Sequence, residues 1–368
     1  MNQRVIVALS GGVDSAVAAL LLRRAGRDVA ALHMSNWEED EAGYCTAAAD
    51  WQDARSVAAE LGIALHRVSF AAEYREQVFR HFLADYAAGL TPNPDVLCNR
   101  EVKFGACLAY ARRLGGSVLA TGHYARLASR AGRMRLLRAR DAAKDQSYFL
   151  QQVPQDALAC ACFPLGELAK AEVRELARSA GLPVHDRPDS TGICFIGERP
   201  FRSFLASYLP PLPGPIETPA GERLGRHDGL MFHTIGQRQG LGIGGRRDHA
   251  EGAWYVAGKD LARNALIVVQ GHDHPLLYAA SVHTEAIRWL ADAPAPRQRC
   301  TIQVRHRQAP EPCVLEWSAS GATAVLERPL RGVAPGQYAA FYADDECLGG
   351  ARITAAGALA ASAASTAA

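Results

Sequence analysis

Hydrophobic and polar positions follow two alternating periods along the first half of the chain and mostly one along the second. The β-rich run Arg4 to Leu9 leads into Val13, Val17, Leu20 and Leu21 at helical spacing up to Gly26. A strand over Asp28 to Met34 follows, then a helix at Thr46 to Leu61, a strand at Ala64 to Phe70, helices at Glu73 to Ala88 and Val102 to Leu114, and a strand at Ser117 to Thr121. Strands alternating with helices predict an α/β first domain over 1–208, a doubly wound, mostly parallel sheet. Within it, Arg126 to Arg140 reads as a hairpin insertion turning at Gly132, and a helix near Glu167 to Ala180 closes the domain.

Beyond Tyr208 the texture changes. Pro210, Pro211, Pro213, Pro215 and Pro219 crowd one stretch and mark an irregular entry to a second unit. Short β-branched runs at Ala265 to Gln270, Cys300 to Val304 and Ala322 to Leu326, parted by Gly, Pro and Asp turns, predict a small central β-rich module over 209–276 and a C-terminal β-barrel over 277–353. Residues 354–368 are almost all Ala, Ser and Gly, with no charge and no periodic face, so burial cannot offset their ordering entropy. A disordered tail is expected there.

Composition narrows the class of partner. The 368 residues leave room for two or three domains, and 40 Lys and Arg against 38 Asp and Glu give no global basic field, so a nucleic acid would have to be met by local patches. The most apolar run, Ala16 to Leu22, is far below the roughly 20 residues of a membrane span, and the N-terminus runs into a strand without an export signal. Nine cysteines, an odd number without repeated CxxC spacing, fit neither a secreted disulfide framework nor a paired zinc knuckle. A cytoplasmic protein with reduced thiols is expected.

The sharpest chemical signal is Ser10-Gly11-Gly12-Val13-Asp14-Ser15, at the C-terminal end of the first strand and opening a helix. Two glycines let the backbone approach an anion, the helix N-terminus offers unpaired N–H groups, and two serines add hydroxyls. The lysine of a Walker loop is missing. Asp14 would repel phosphate unless it orders the loop or works through Mg²⁺. Gly240 to Gly245 formally matches GxGxxG, but no apolar helix follows it. Two cysteines stand in segments suited to chemistry. Cys98, after Pro92 and Pro94 and just before a helix start, has Arg100 and Lys103 close by to favour thiolate, and Cys194 lies in a Gly-flanked turn.

The Ser10 to Ser15 hexapeptide resembles the PP-loop of ATP pyrophosphatases, which adenylate a substrate oxygen and release pyrophosphate. The segments TPNPDVLCNREVKF, LATGHYAR, KDQSYFL, DSTGICFIGERPF, GLMFHTIGQRQGLGIGG and FYADDECLGG, in that order, resemble the bacterial tRNA-specific 2-thiouridylase family over nearly the whole chain, the Ala-rich tail excepted. The resemblance implies that ATP, with Mg²⁺, is held by Ala8, Leu9, Ser10, Gly11, Gly12, Val13, Asp14, Ser15, Met34 and Gly122. It implies a persulfide on Cys194, delivered by a sulfur-relay protein, with Cys98 as its catalytic partner. Asp95 would be the acid/base, beside Asn93 and Pro94 at the target base, and Lys144, Asp145, Gln146, Arg305 and His306 would contact the tRNA.

This set suits the chemistry. The C2 carbonyl oxygen of uracil leaves poorly until adenylation makes it part of a phosphate, and a persulfide sulfur transferred to C2 needs a second thiolate to break its S–S bond. The wobble uridine is expected to flip out of the anticodon stack. Asp95 would need a raised pKa to relay a proton; an Asx-turn after Pro94 is its structural alternative. Arg297, Arg299, Arg305 and Arg307 form a basic stripe suited to an RNA backbone, with a solvated charged face as the alternative for Arg297 and Arg299. On a strand, His306 would oppose Arg305 and Arg307; here it stands where the family often has Tyr. Two rival readings remain: a PP-loop synthetase acting on a small metabolite, which needs no paired cysteines, and a nucleotide-regulated RNA-binding module indifferent to loss of both thiols.

Overall fold

The computed structural model describes residues 3–37, 47–188, 201–243, 252–290 and 292–359. In the first part of the chain, β1 (Val5–Ala8), β2 (Val29–Ser35), β3 (Ala64–Ser69) and β4 (Val118–Ala120) precede a hairpin, β5 (Arg126–Arg130) and β6 (Arg133–Leu137), and a short β7 (Ala161–Cys162). β3, β2, β1, β4 and β7 form one sheet in that order, every pair parallel. Alternation along β1 explains the layers: Val5 and Val7 pack with the helix Val13–Arg24, whereas Ile6 faces the helical segments 71–87 and 94–113. The doubly wound expectation is met.

Helix 94–113 starts earlier than the pattern predicts. Two prolines make 91–94 read as a loop, yet Pro94 occupies the first helical turn, where its missing N–H removes no intrahelical bond. The stretch Cys98–Cys107 is wound as a π-helix, so Cys98 sits inside the helix and not in front of it.

The central module has β8 (Gly214–Glu217), β9 (Arg223–His227), β10 (Trp254–Asp260) and β11 (Ala265–Gln270) in the order β10-β11-β8-β9, around Ile216, Val256, Leu266 and Val268. The last part comprises β12 (Tyr278–Thr284), β13 (Arg288–Trp289), β14 (Arg297–Gln303), β15 (Glu311–Ser318), β16 (Gly321–Arg331), β17 (Tyr338–Ala343) and β18 (Glu346–Ala358). Six of these close a barrel, β12-β16-β15-β14-β17-β18, through the pairing of β18 back onto β12.

Two expectations change here. Residues 354–358, assigned from composition to a disordered tail, are the end of β18, with Ala358 opposite Ala279. Backbone pairing with β12 supplies hydrogen bonds that the side chains do not, and a Cβ on Gly357 would fall 2.1 Å from Ser281 Oγ, so small residues belong there. Residues 360–368 lie outside the described residues. The hairpin β5–β6 is also more than an insertion, because β6 pairs with β18 and extends the barrel's sheet.

The three parts share one apolar core. Leu136, Tyr148 and Leu150 of the first part pack with Tyr338, Ala340, Tyr342 and Cys347 of the barrel and with Met231 of the central module. The loop ahead of Pro94 is clamped at this seam: Thr91 N donates to Pro335 O at 2.9 Å, Gln337 Nε2 donates to Thr91 O and Pro92 O at 2.9 and 3.1 Å, and Lys259 Nζ donates to Gly89 O at 2.9 Å. Among the described residues no helix is long and apolar enough to cross a membrane.

Candidate active site

The C-terminal edge of a parallel sheet gathers the strand ends that can hold a ligand, and the hexapeptide lies there, between β1 and its helix. Its hydroxyls knit the loop together. Ser10 N donates to Ser15 Oγ at 3.2 Å, Gly12 N to Ser10 Oγ at 3.4 Å, and Ser15 Oγ to Gly12 O at 3.0 Å. Gly11 has φ +88°, and a Cβ there would fall 2.4 Å from Asp50 O. Gly122, just after β4, closes the loop from the other side: a Cβ on it would lie 2.7 Å from Ser15 N and 2.8 Å from the carbonyl carbon of Asp14. Ala8, Leu9 and Val13 line the same turn, and Met34 stands half-buried at the end of β2. The ten residues expected to hold ATP thus lie on the loop, at the end of β2 and just after β4, at one edge of the sheet.

The carboxylate of Asp14 is anchored from outside the loop. Lys170 Nζ donates to both carboxylate oxygens, at 2.7 and 2.8 Å, and Tyr124 OH donates to Oδ1 at 2.8 Å. Arg187 donates to Gly11 O at 3.0 Å while pairing with Asp50 and Asp53 of the helix Ala47–Leu61. Lys170 and Arg187 escape sequence reasoning because they lie 156 and 176 positions from the loop residues they touch. Tyr124 follows Gly122-His123 directly in the chain, a position that by itself assigns it no role. His33, next to Met34, is buried and neutral: desolvation pulls its pKa down, and its Nδ1 bonds Leu9 O at 3.0 Å.

Cys98 reaches the same edge from its helix. Its sulfur accepts a hydrogen bond at 3.8 Å from Nδ2 of Asn36, the residue that follows β2. The expected thiolate is not what the surroundings favour. Cys98 is wholly buried, and burial pushes its thiol up to about 11, with Lys103 opposing and Asp95 adding to the rise. At neutral pH the group is a protonated thiol. The prediction failed because it placed the cysteine at a helix start in contact with water, whereas the helix begins one turn earlier. Asp95 lies in that first turn, three residues and so about one turn before Cys98, on the same face. Asn93 precedes Pro94 with its Nδ2 3.4 Å from Gln337 Oε1. Cys194 lies outside the described residues.

The residues expected to contact the tRNA divide. Asp145 is buried, its carboxylate accepting from Ala139 N at 2.9 Å, Ser147 Oγ at 2.8 Å and Arg138 Nη1 at 3.3 Å. Gln146 Oε1 accepts from Tyr124 N at 3.0 Å. Lys144 is half-buried in the turn before them. Residues 305–307 are not on a strand, since β14 ends at Gln303 and Arg307 takes a left-handed φ of +66°; the alternation expected of them does not apply. Arg305 Nη2 donates to Ile235 O at 2.8 Å, and His306 bonds Asp145 O at 3.1 Å with its ring 4.5 Å from that of Phe149. Arg297 and Arg299 are exposed but pair with Glu316 and Glu327, at 3.3 and 3.4 Å. That part of the stripe is a mixed-sign face.

Comparison with known proteins covers nearly the whole chain. Residues 3–198 match the family described as the tRNA methyl transferase HUP domain, 202–270 the corresponding PRC-barrel domain, and 280–353 the aminomethyltransferase β-barrel domain. The tRNA-specific 2-thiouridylase MnmA of Pseudomonas aeruginosa is 54% identical over 351 residues, which are 95% of this chain and 94% of that one. The MnmA of Alkalilimnicola ehrlichii is 54% identical over 353 residues, 95% and 96% of the two chains, and that of Ralstonia pickettii 52% over 358, 96% and 97%. The domain descriptions mention methyl transfer, but the relatives that match from end to end are thiolation enzymes. Identity above one half across at least 94% of both chains places this chain in the family of tRNA-specific 2-thiouridylases, ATP-dependent sulfurtransferases of the PP-loop superfamily.

Proposed function

We propose that this protein replaces the C2 oxygen of the wobble uridine of tRNA with sulfur, at the C-terminal edge of its first sheet. The observation that carries the reading is that the phosphate loop after β1 and the thiol of Cys98, beside the end of the neighbouring β2, share that edge. In the first stage the uracil O2 attacks the α-phosphorus of ATP and pyrophosphate leaves. The loop N–H groups, Ser10 and Ser15 hold the phosphates. Lys170, now on Asp14, is the cation placed to meet the charge of the leaving pyrophosphate. Mg²⁺ in nucleotide sites takes one or two carboxylates, with phosphates and water completing its shell, and Asp14 fits that need. When bound, the ion neutralises phosphate charge.

In the second stage the terminal sulfur of a Cys194 persulfide, received from a relay protein, attacks C2 and AMP leaves. Cys98 then attacks the Cys194 sulfur of the resulting S–S bond, passing its proton to Asp95 one helical turn away. The S–S bond breaks, 2-thiouridine is released, and a Cys98–Cys194 disulfide remains for an external thiol to reduce. Asn93 and Pro94 border the base. Lys144 and Arg307 face the RNA, while Asp145, Gln146, Arg305 and His306 shape the surface that presents them. A reduced cytoplasmic setting suits the seven described cysteines, all of which are free.

The test is thiolation of unmodified tRNA with ATP, Mg²⁺ and a persulfide donor protein, comparing wild type with Cys98→Ser and Cys194→Ser. Thiouridine, AMP and pyrophosphate are expected from wild type, with thiolation lost in both variants. Thiolation that survives either substitution overturns the two-cysteine relay.

A further inference from the structure

Asn36 is fixed more firmly than a residue after a strand end usually is. Ser35 Oγ donates to Trp37 O at 2.8 Å, and Phe70 N donates to Ser35 O at 2.8 Å, so the turn that carries Asn36 is held on both sides. Its Nδ2 is tied to Cys98 Sγ. Its Oδ1 is buried, with no hydrogen-bond partner among the described residues. Buried carbonyl oxygens are rarely left so, and an orphan beside a reacting group marks where a donor from elsewhere belongs.

The chemistry of the substrate says which donor. Because Nδ2 is engaged by the sulfur, the free end of the amide is an acceptor. Uracil carries a hydrogen-bond donor, N3–H, on the ring atom next to C2, the carbon that the sulfur must reach. Cytosine has a lone pair at N3 and the same carbonyl at C2, so it offers the same oxygen for adenylation but opposes an acceptor at N3. We propose that Asn36 selects the base: Oδ1 accepts the N3–H of uracil, and the contact between Nδ2 and Cys98 holds the amide in the orientation that refuses cytosine. This rests on the thiouridylase reading above and adds a residue that the sequence did not single out. An amide can read either base if it is free to flip, so the tie to Cys98 converts an indifferent side chain into a selective one.

The experiment reads adenylation alone, a stage in which Cys98 takes no part, so a role for Asn36 confined to orienting the thiol would not move it. ATP–pyrophosphate exchange is measured with tRNA transcripts that differ only in U or C at the wobble position, using wild type, Asn36→Ala and Asn36→Asp. Wild type is expected to prefer U. Asn36→Ala is expected to lose about 10- to 100-fold in kcat/KM on the U transcript, with the U:C ratio falling toward one and the KM for ATP unchanged. Asn36→Asp, of nearly the same volume and still offering an acceptor, is expected to keep the preference. A wild-type U:C ratio in Asn36→Ala, or a lost preference in Asn36→Asp, overturns the assignment. Absence of tRNA-dependent pyrophosphate exchange by wild type on the U transcript would instead remove the thiouridylase reading on which it stands.

Discussion

Cys98 is packed with Val96, Val102 and Cys107 in the largest apolar cluster, and that setting decides its state before substrate arrives. With its thiol held near 11, the thiolate fraction at neutral pH is small and rises about tenfold per pH unit. Alkylation of Cys98 by iodoacetamide in the free protein is therefore expected to accelerate steadily from pH 7 to 10; a plateau below pH 8 would contradict the burial. Stability follows the same shift. The folded-state value lies above the ordinary value of 9.0, so this thiol's contribution is intact below pH 9 and is lost as pH rises from 9 toward 11. Urea midpoints should fall less over that range in Cys98→Ala than in wild type. Lys170 calls for a different substitution. Lys170→Met removes the cation from Asp14 and leaves a carboxylate facing polyphosphate, and a loss of about 100-fold in ATP–pyrophosphate exchange is expected, with tRNA affinity unchanged. The hexapeptide itself was legible, because glycine, serine and a helix start in register carry their own mechanism. Its lysine was not, since nothing local at Lys170 points to a loop 156 positions away.

Elements are where local rules met tertiary ones. The parallel sheet followed from the alternation of strand and helix, and the helix Lys170–Ser179 falls within its expected range. The misplacement of helix 94–113 came from treating Pro94 as a loop residue when the first helical turn accepts proline. Strand β18 outran its expected end because pairing with β12 does not depend on side-chain hydrophobicity. Gly122 joins the end of one element to the start of another. In Gly122→Ala the new methyl would meet Ser15 N at 2.7 Å, so the helix Val13–Arg24 would have to move. The expected result is a loss of about 1–3 kcal/mol in stability together with weakened ATP binding, read by denaturant unfolding and calorimetry.

At the scale of the molecule, the barrel and the central module hold the loop that carries Asn93 and Pro94. Gln337 of the barrel has its amide on Thr91 O, Pro92 O and Asn93 Nδ2. Gln337→Ala is expected to slow thiolation while leaving ATP affinity as it was, because the phosphate loop lies on elements that Gln337 does not touch; equal losses in both would argue that the seam supports the whole fold and not this loop. The order of domains was readable from the change of texture after Tyr208. How the hairpin Arg126 to Arg140 joins the barrel was not, since its pairing with β18 spans more than two hundred positions.

The sequence by itself determined the fold class and the place of the hexapeptide between the first strand and its helix, because each rests on periodicity or on residues within one short segment. Tertiary structure decided the protonation of Cys98, the ion pair that orders Asp14, the closure of the barrel and the orphaned oxygen of Asn36. Those depend on burial and on partners brought together across the chain, and neither quantity is written in local spacing.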